Sequence, residues 1–250
     1  MKRLARTILR SAGRPLKRAV KSVAFRGNAR FCPICGKSAR VFQPYGIKRR
    51  QDVRCPFCGS LERHRLLWRY LQGKTDFFQV SGVRMLHVAA EPFFEQRFRR
   101  QIGDGYLTAD LMLPADVTID VTDIPYPDET FDILFCSHVL EHVPDDRQAM
   151  REMYRVLKPG GWAITLVPIT VDRTIEDLSI TDPQERLRLY GQSDHVRRYG
   201  LDFCDRLEEA GFVVRITKSE DFIAGDEISR LRLGGDSAGE VFHCTKGVPA

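Results

Sequence analysis

From about Val83 onward, short apolar runs alternate with stretches of helical periodicity, and this alternation constrains the fold more than any other feature of the chain. The apolar runs predict strands near residues 83–88, 105–109, 116–120, 131–136, 161–167, 212–217 and 240–244, and helices near 92–102, 145–157 and 199–210. Strands that alternate with helices are typical of βαβ units, whose strands run parallel. The sequence therefore predicts an α/β fold with a doubly wound, mostly parallel sheet of about seven strands.

The length of 250 residues accommodates one full-size domain and a small appendage. Hydrophobic residues make up 43% of the chain and charged residues 29%, as in globular proteins that fold in water. This composition excludes a disordered tail protein and a collagen-like fibre. The apolar runs are all shorter than the roughly 18 residues of a transmembrane helix, so none is predicted.

Four of the seven cysteines lie in two near-copies of one pentapeptide. Cys32 and Cys35 belong to CPICG, and 19 residues further on Cys55 and Cys58 belong to CPFCG. Paired CxxC turns of this spacing predict a zinc-ribbon-like module with the four cysteines as ligands. Four thiolates leave no open coordination position, so we expect the zinc to be structural. Four free thiols or a redox dithiol are the alternatives.

The charge of the chain is strongly asymmetric. Fifteen Lys or Arg and no acidic residue precede Asp52, whereas the rest of the chain has 24 basic and 33 acidic residues. We divide the chain into a basic amphipathic arm (1–30), the four-cysteine zinc module (31–60), a connecting helix and linker (61–80) and the α/β domain (81–250). A basic head can bind RNA or an anionic membrane surface, which are the partners expected for residues 1–54 of a cytoplasmic or peripherally membrane-bound protein. A solvated terminus or an organelle transit peptide are the alternatives for the arm.

Acidic residues end two neighbouring predicted strands. Asp110 ends the segment LTAD, and Asp120 follows Thr118 and Ile119. In doubly wound sheets, ligands bind beyond the carboxyl ends of the strands, where an acid can accept hydrogen bonds from ribose hydroxyl groups. The two acids therefore predict a ligand crevice at this edge, with ordinary loop capping as the alternative.

Further motifs follow in a characteristic order between residues 119 and 168. They are IDVTDIPYPDETFDILFCSHVLEHV and REMYRVLKPGGWAITLVP. In this order they resemble the class I S-adenosylmethionine-dependent methyltransferases of the type 11 group, over about residues 84–168. The resemblance implies a Rossmann-like fold and S-adenosyl-L-methionine as the cofactor.

The resemblance also implies a role for residues at the matching positions. Asp110 matches the acid that binds the ribose hydroxyls, and Asp120 matches the acid that accepts from the adenine amino group. Val121 and Ile124 match residues that line the adenine, and Leu111 is a further expected cofactor contact. Ser137 matches the loop under the methionine and sulfonium part of the cofactor.

The first loop of the α/β domain departs from the family pattern. His87 stands where the family has an acid, and Ala89 and Glu91 stand where it has glycines. We expect these three residues to contact the methionine end of the cofactor along a loop of altered course, because glutamate cannot adopt glycine conformations without cost. An altered cofactor pose or a loss of cofactor binding are the alternatives.

Methyl transfer is an in-line displacement, for which the protein aligns the nucleophile and removes its proton. Histidine suits that task because its ordinary pKa is near neutrality. His138 follows a predicted strand, and His195 lies with Arg197 in a polar loop before the helix 199–210, so both histidines are candidate catalytic residues and Arg197 is a candidate acceptor contact. The run from His138 to His142 also resembles a metal site of some relatives, although those have a further acid where Ser137 stands.

The expected activity is methyl transfer to an oxygen or nitrogen nucleophile of a small-molecule, lipid or glycan acceptor. An RNA methyltransferase that uses the basic zinc head is the first alternative. A non-catalytic adaptor with a degenerate methyltransferase fold is the second.

Overall fold

The computed structural model describes residues 20–46, 49–233 and 239–248. They form two compact units. The first contains the described chain up to Arg69 together with Ile223–Leu233, and the second contains Tyr70–Phe222 together with residues 239–248. Residues 1–19 of the expected basic arm lie outside the described residues, whereas residues 20–24 are helical and exposed. Residues 223–233, which the sequence placed in the α/β domain, therefore pack with the cysteine module.

Strands and helices are numbered here in chain order. The strands are β1 (Arg30–Cys32), β2 (Lys37–Ala39), β3 (Gln43–Tyr45), β4 (Arg50–Arg54), β5 (Met85–Val88), β6 (Tyr106–Asp110), β7 (Val117–Thr118), β8 (Phe131–Ser137), β9 (Leu157–Leu166), β10 (Ile175–Glu176), β11 (Arg197–Arg198), β12 (Val213–Lys218) and β13 (Glu240–Thr245). The helices are α1 (Glu62–Lys74), α2 (Pro92–Ile102), α3 (Asp146–Val156), α4 (Pro183–Tyr190), α5 (Phe203–Glu209) and α6 (Gly225–Leu231). None of the helices within the described ranges is both long and apolar enough to cross a bilayer.

Two antiparallel hairpins, β1–β2 and β3–β4, form the framework of the first unit. A fully buried side chain of α1, Arg65, links its parts. The guanidinium group donates hydrogen bonds to the main-chain oxygens of Val53 and Ser60, both at 3.0 Å, and of Leu231 at 2.6 Å. These acceptors lie in β4, in the second cysteine loop and in α6. One side chain thus holds three segments of the unit together.

Seven strands of the second unit form one sheet, in the order β12-β13-β9-β8-β5-β6-β7. The pairs between β9 and β7 are parallel, and β13 runs antiparallel to both of its neighbours. The chain places β6 on one side of β5 and β8 on the other, so the strand order reverses between β5 and β8. The predicted Rossmann-like, doubly wound, mostly parallel sheet is confirmed.

Both faces of the central strands are buried. On one face, Leu134 of β8 belongs to a core with Met150 of α3. On the other face, the ring of Phe135 packs against those of Phe98 and Phe77, with centroids 5.5 and 6.2 Å away. Strands that are covered on both faces are continuously apolar, which is why this strand could be predicted.

The sequence predicts a helix to about residue 157 and a strand from about residue 161, whereas the strand already begins at Leu157. Helix α3 ends at Val156, and β9 begins directly after it. Gly160 has a φ of 76°, a conformation that glycine adopts without steric cost. A Cβ atom on Gly161 would lie 2.9 Å from the main-chain oxygen of Asp132, so β9 passes too close to β8 there for any other residue.

Candidate functional site

A cavity of about 760 Å³ lies at the carboxyl ends of β5, β6 and β8, where the strand order reverses. Open α/β sheets bind ligands at this position. The predicted site residues that line the cavity are Ala89, Asp110, Leu111, Asp120, Val121 and His138. The predicted site residues outside its lining are His87, Glu91, Ser137 and His195. Six of these ten residues are thus brought to one surface.

Asp110 is the last residue of β6, and its carboxylate is fixed by the turn that follows. Oδ1 accepts hydrogen bonds from the main-chain N–H groups of Met112, at 2.8 Å, and Leu113, at 2.7 Å. No residue in the described ranges donates to Oδ2 or forms an ion pair with this carboxylate. One oxygen therefore anchors the turn, and the other is available to a ligand hydroxyl group.

Asp120 has a similar arrangement beyond β7. Its Oδ1 accepts from the main-chain N–H of Thr122 at 2.9 Å and from the Thr122 hydroxyl at 2.7 Å. The flanking Ile119 and Val121 are each 4% exposed and line the cavity. Apolar side chains next to a carboxylate with a free oxygen fit a flat ring that carries an amino group.

Two residues at the cavity have strained backbone conformations. Ala89 has a φ of 52° and His138 a φ of 55°. Hydrogen bonds hold both, from Ala89 N–H to the oxygen of Ala109 at 2.8 Å and from His138 N–H to that of Leu166 at 2.7 Å. Strained residues tend to cluster at functional sites. Ala89 keeps, at a cost, the left-handed backbone that glycine would adopt freely.

His87 lies inside the sheet, away from the cavity surface. It is fully buried, and its Nδ1 is 2.8 Å from the hydroxyl oxygen of Tyr106. Its Nε2 is 3.6 Å from Oε2 of Glu91, the residue that precedes α2. Through these contacts His87 supports the loop that follows β5. Direct cofactor contacts of His87 and Glu91 stay predictions.

Ser137 ends β8 beside the cavity and is 7% exposed. Its Oγ is buried and has no hydrogen-bond partner in the described part of the chain. Buried hydroxyl groups are almost always hydrogen-bonded in folded proteins. A polar ligand group in the adjoining cavity would satisfy this hydroxyl.

A buried carboxylate, Glu141, lies among three histidines at one wall of the cavity. It is 1% exposed, and His138 Nδ1 is 3.1 Å from its Oε1. Burial alone would raise the pKa of Glu141, but the contacts with His138 and the field of His142 outweigh burial and lower that pKa. The carboxylate is therefore ionised at neutral pH and orients the His138 ring toward the cavity.

The other two histidines belong to the same cluster. The rings of His142 and His195 are perpendicular, with centroids 4.6 Å apart. His142 Nδ1 is 3.3 Å from Oδ2 of Asp194, and His195 Nε2 is 2.7 Å from Nε2 of Gln192. Burial lowers the pKa of His195, because the imidazolium form is poorly solvated there. His195 is therefore neutral at physiological pH.

Arg197 is buried beneath the cavity wall, although its loop suggested an acceptor contact. It is 1% exposed and donates to the main-chain oxygens of Leu140, at 2.9 Å, Val143 and Pro144, at 2.7 Å. It also pairs with Glu176 at 2.8 Å. The segment that it holds includes His142 and other lining residues. Arg197 thus holds the segment 140–144 in position without itself lining the cavity.

The four cysteines predicted as zinc ligands form one cluster in the first unit. Their sulfur atoms all lie within 4.8 Å of one another, with Cys32–Cys58 at 3.6 Å and Cys35–Cys55 at 3.8 Å. A tetrahedral zinc with Zn–S bonds of about 2.3 Å requires sulfur atoms about 3.8 Å apart. The donor set and its spacing fit zinc. The Ser60 hydroxyl lies 3.2 Å from the sulfurs of Cys32 and Cys58, a contact that the CxxC pattern does not indicate.

Residues 86–165, which include β5, β6 and β8, match the family model described as a methyltransferase domain. Methyltransferase GfsG of Streptomyces halstedii is 39% identical over 66 residues, 25% of this chain and 23% of that protein. Ajmaline N-methyltransferase of Rauvolfia serpentina is 37% identical over 75 residues, 30% of this chain and 26% of that protein. The chain thus spans about a quarter of the length of these curated relatives.

One solved structure shares the fold over most of the chain. It is the complex between the Haloferax volcanii Trm112 methyltransferase activator and a methyltransferase, with a TM-score of 0.52 and 14% identity. The match covers 75% of this chain and 91% of that one. At this identity the likeness establishes the fold alone.

Proposed function

We propose that this chain, which carries an S-adenosylmethionine-dependent methyltransferase domain over residues 86–165, transfers a methyl group to an oxygen or nitrogen nucleophile of a small-molecule, lipid or glycan acceptor. One observation carries the proposal. The carboxylates of Asp110 and Asp120 lie at the ends of adjacent strands on one cavity, each with one oxygen held and the other without a donor among the residues described.

Under this proposal, each part of the cofactor has a contact in the cavity. Asp110 would accept from the ribose hydroxyls, and Asp120 from the adenine amino group. Leu111 and Val121 would pack beside the adenine, whose flat faces favour apolar surfaces. The Ser137 hydroxyl, which has no hydrogen-bond partner among the described residues, would face the methionine part of the cofactor.

His138 is the proton acceptor that the geometry favours. When bound at these residues, S-adenosyl-L-methionine would supply an electrophilic methyl group, and the electron pair of the S–C bond would remain on the sulfur of S-adenosylhomocysteine. The acceptor oxygen or nitrogen forms the new bond to carbon, and its proton passes to the imidazole of His138. The Glu141 carboxylate lies 3.1 Å from Nδ1 and fixes the orientation of the ring. His195 is 5% exposed, so it acts on the site through its neighbours.

Binding of S-adenosylhomocysteine, measured by calorimetry, tests the proposal. Asp110→Asn keeps an oxygen for the N–H groups of Met112 and Leu113 but loses the anionic acceptor, so it separates ligand binding from loop collapse. A hydrogen bond to a charged group contributes about 1.5–3 kcal/mol, and we expect roughly 10- to 100-fold weaker binding. Asp205→Asn, an exposed aspartate of α5, is the matched control and should bind like the unaltered chain.

Unchanged affinity in Asp110→Asn and in Asp120→Asn would contradict the assignment of the cavity. An unaltered chain that binds no S-adenosylhomocysteine at high concentration would favour the non-catalytic adaptor. If binding is confirmed, transfer of a labelled methyl group to candidate acceptors then identifies the acceptor class.

Exposed basic residues favour RNA as a second candidate acceptor. Arg26, Lys37, Arg40 and Arg54 are exposed on the unit that contains the cysteines. Phosphate contacts would make RNA affinity fall steeply with salt concentration. A gel-shift series in rising salt separates this candidate from the first, which predicts no RNA binding at physiological salt.

A further inference from the structure

We propose that Glu141, His142 and His195 bind a divalent transition-metal ion at the wall of the cavity, as a second metal site distinct from the four cysteines. The three residues each offer one ligand atom, and these atoms all lie within 4.8 Å of one another. Metal–ligand bonds of about 2.0–2.2 Å require ligand atoms roughly 3–3.5 Å apart. To bind an ion, ligand atoms that lie close to 4.8 Å apart would have to approach one another by about 1–2 Å.

The carboxylate of Glu141 is buried and requires a positive charge nearby. Both carboxylate oxygens are buried, and His138 Nδ1 lies close to Oε1, at 3.1 Å. Oε2 has no hydrogen-bond partner in the described ranges, and no Lys or Arg there forms an ion pair with Glu141. A buried carboxylate is costly unless a positive charge compensates it. The neighbouring imidazoles supply that charge only when protonated, whereas a divalent ion supplies it at any pH at which the histidines are neutral.

The surroundings of the cluster orient its members as ligands. Asp194 Oδ2 lies 3.3 Å from Nδ1 of His142 and can accept the proton of that nitrogen, which leaves Nε2 of the same ring for the ion. Histidine ligands of metal ions regularly use their second ring nitrogen in such contacts, which fix the ring and the tautomer. His138 lies next to Oε1 of Glu141, so Oε2 of that carboxylate remains for the ion.

The donor set defines the class of metal. Two imidazoles and one carboxylate suit Zn²⁺, Fe²⁺ or Mn²⁺, and three protein ligands leave coordination positions open. The cysteine cluster, by contrast, has four soft sulfur ligands and is closed. The two sites therefore differ in both chemistry and spectroscopic signature.

The open coordination positions of the ion would have a role in methyl transfer, and this part of the inference rests on the proposed function. His142 and Asp194 line the cavity, so an ion held by His142 would present its open positions there. An acceptor with a hydroxyl or carboxylate group could coordinate at these positions. The ion would then favour the deprotonated nucleophile and orient it toward the methyl donor.

Cobalt titration of the full-length chain, freed of metal and studied without cofactor, tests the second site. We expect two equivalents of Co²⁺ to bind, one with intense sulfur-to-metal charge transfer and one with only weak ligand-field bands. Glu141→Gln and His142→Ala should each weaken the second equivalent at least 10-fold and leave the first unchanged. Cys32→Ser is the matched control, and it should weaken the charge transfer, because three thiolates remain, while the second equivalent still binds.

A single equivalent of bound cobalt, all of it with thiolate charge transfer, would overturn the second site. So would unchanged affinity of the second equivalent in both Glu141→Gln and His142→Ala. Circular dichroism shows whether each variant is folded, and His195→Ala provides a third variant if one of the two is not. Because the titration contains no cofactor, its failure leaves S-adenosylhomocysteine binding to be judged on its own.

Discussion

Replacing Arg197 by alanine should destabilise the second unit and weaken cofactor binding together. The guanidinium group is buried and donates to three main-chain oxygens between residues 140 and 144 and to the Glu176 carboxylate. Each buried acceptor that loses its donor costs about 1–3 kcal/mol. Glu176 is 30% exposed, so water can reach part of the space left by the side chain. We therefore expect a loss of about 3–5 kcal/mol, the usual cost of removing one partner of a buried ion pair.

Urea unfolding, followed separately by circular dichroism and tryptophan fluorescence, measures this loss. Arg197→Lys keeps the charge but cannot reach all four acceptors, so it should recover part of the stability. Arg147→Ala is the matched control, because Arg147 pairs with Glu209 at 2.9 Å and both side chains are about half exposed. Exposed pairs contribute about 0–1 kcal/mol, so this control should change stability little.

The same variants report on the cavity. Since the clamped segment carries His142, Val143 and Pro144, its release should lower the affinity for S-adenosylhomocysteine about 10-fold or more in Arg197→Ala. The reasoning would be refuted if Arg197→Ala lowered the free energy of unfolding by less than about 1 kcal/mol and left the affinity for S-adenosylhomocysteine unchanged. The hydrogen bonds of Arg197 would then not be what holds residues 140–144 in place.

Two further predictions concern stability. Two arginines, Arg206 and Arg197, outweigh the effect of burial and lower the pKa of Glu176 to about 2. The contribution of Glu176 to the free energy of unfolding is therefore complete above its ordinary pKa near 4.5 and is lost as the pH falls toward 2. Because that side chain is partly exposed, the contribution of the Glu176 carboxylate to stability is about 1–2 kcal/mol. Glu176→Gln should remove it at pH 6 and should have a clearly smaller effect at pH 2.5, where most of it is already lost. Equal effects at both pH values would show that the carboxylate charge is irrelevant. Ala89→Gly should raise the free energy of unfolding by about 0.5–1 kcal/mol, because glycine adopts a φ of 52° without strain; a less stable variant would mean that the Cβ atom makes a compensating contact.

The fold was largely predictable because it depends on local patterns. Strands covered on both faces need continuous apolar residues, as in Ile133–Cys136, and helices that cover them need one apolar face. Asp110 and Asp120 were also predictable, since parallel strands deliver their carboxyl ends to one edge. The position of a residue at the end of a strand is thus encoded within a few neighbours.

Long-range contacts explain what the sequence could not show. The loop with Arg197 is polar and resembles an exposed segment, and only tertiary structure reveals the carbonyl oxygens that bury its guanidinium group. The cluster of Glu141 and His195 likewise joins distant segments. Residues 223–233 pack with the cysteine module through contacts such as Arg65 with Leu231, for which local periodicity contains no signal.

A crystal structure of the chain with S-adenosylhomocysteine tests the central claim most directly. The account predicts that the ligand fills the cavity, with its ribose hydroxyls at the carboxylate of Asp110 and its adenine amino group at that of Asp120. A cavity that stays empty at saturating ligand, or a nucleoside bound away from both carboxylates, would contradict it.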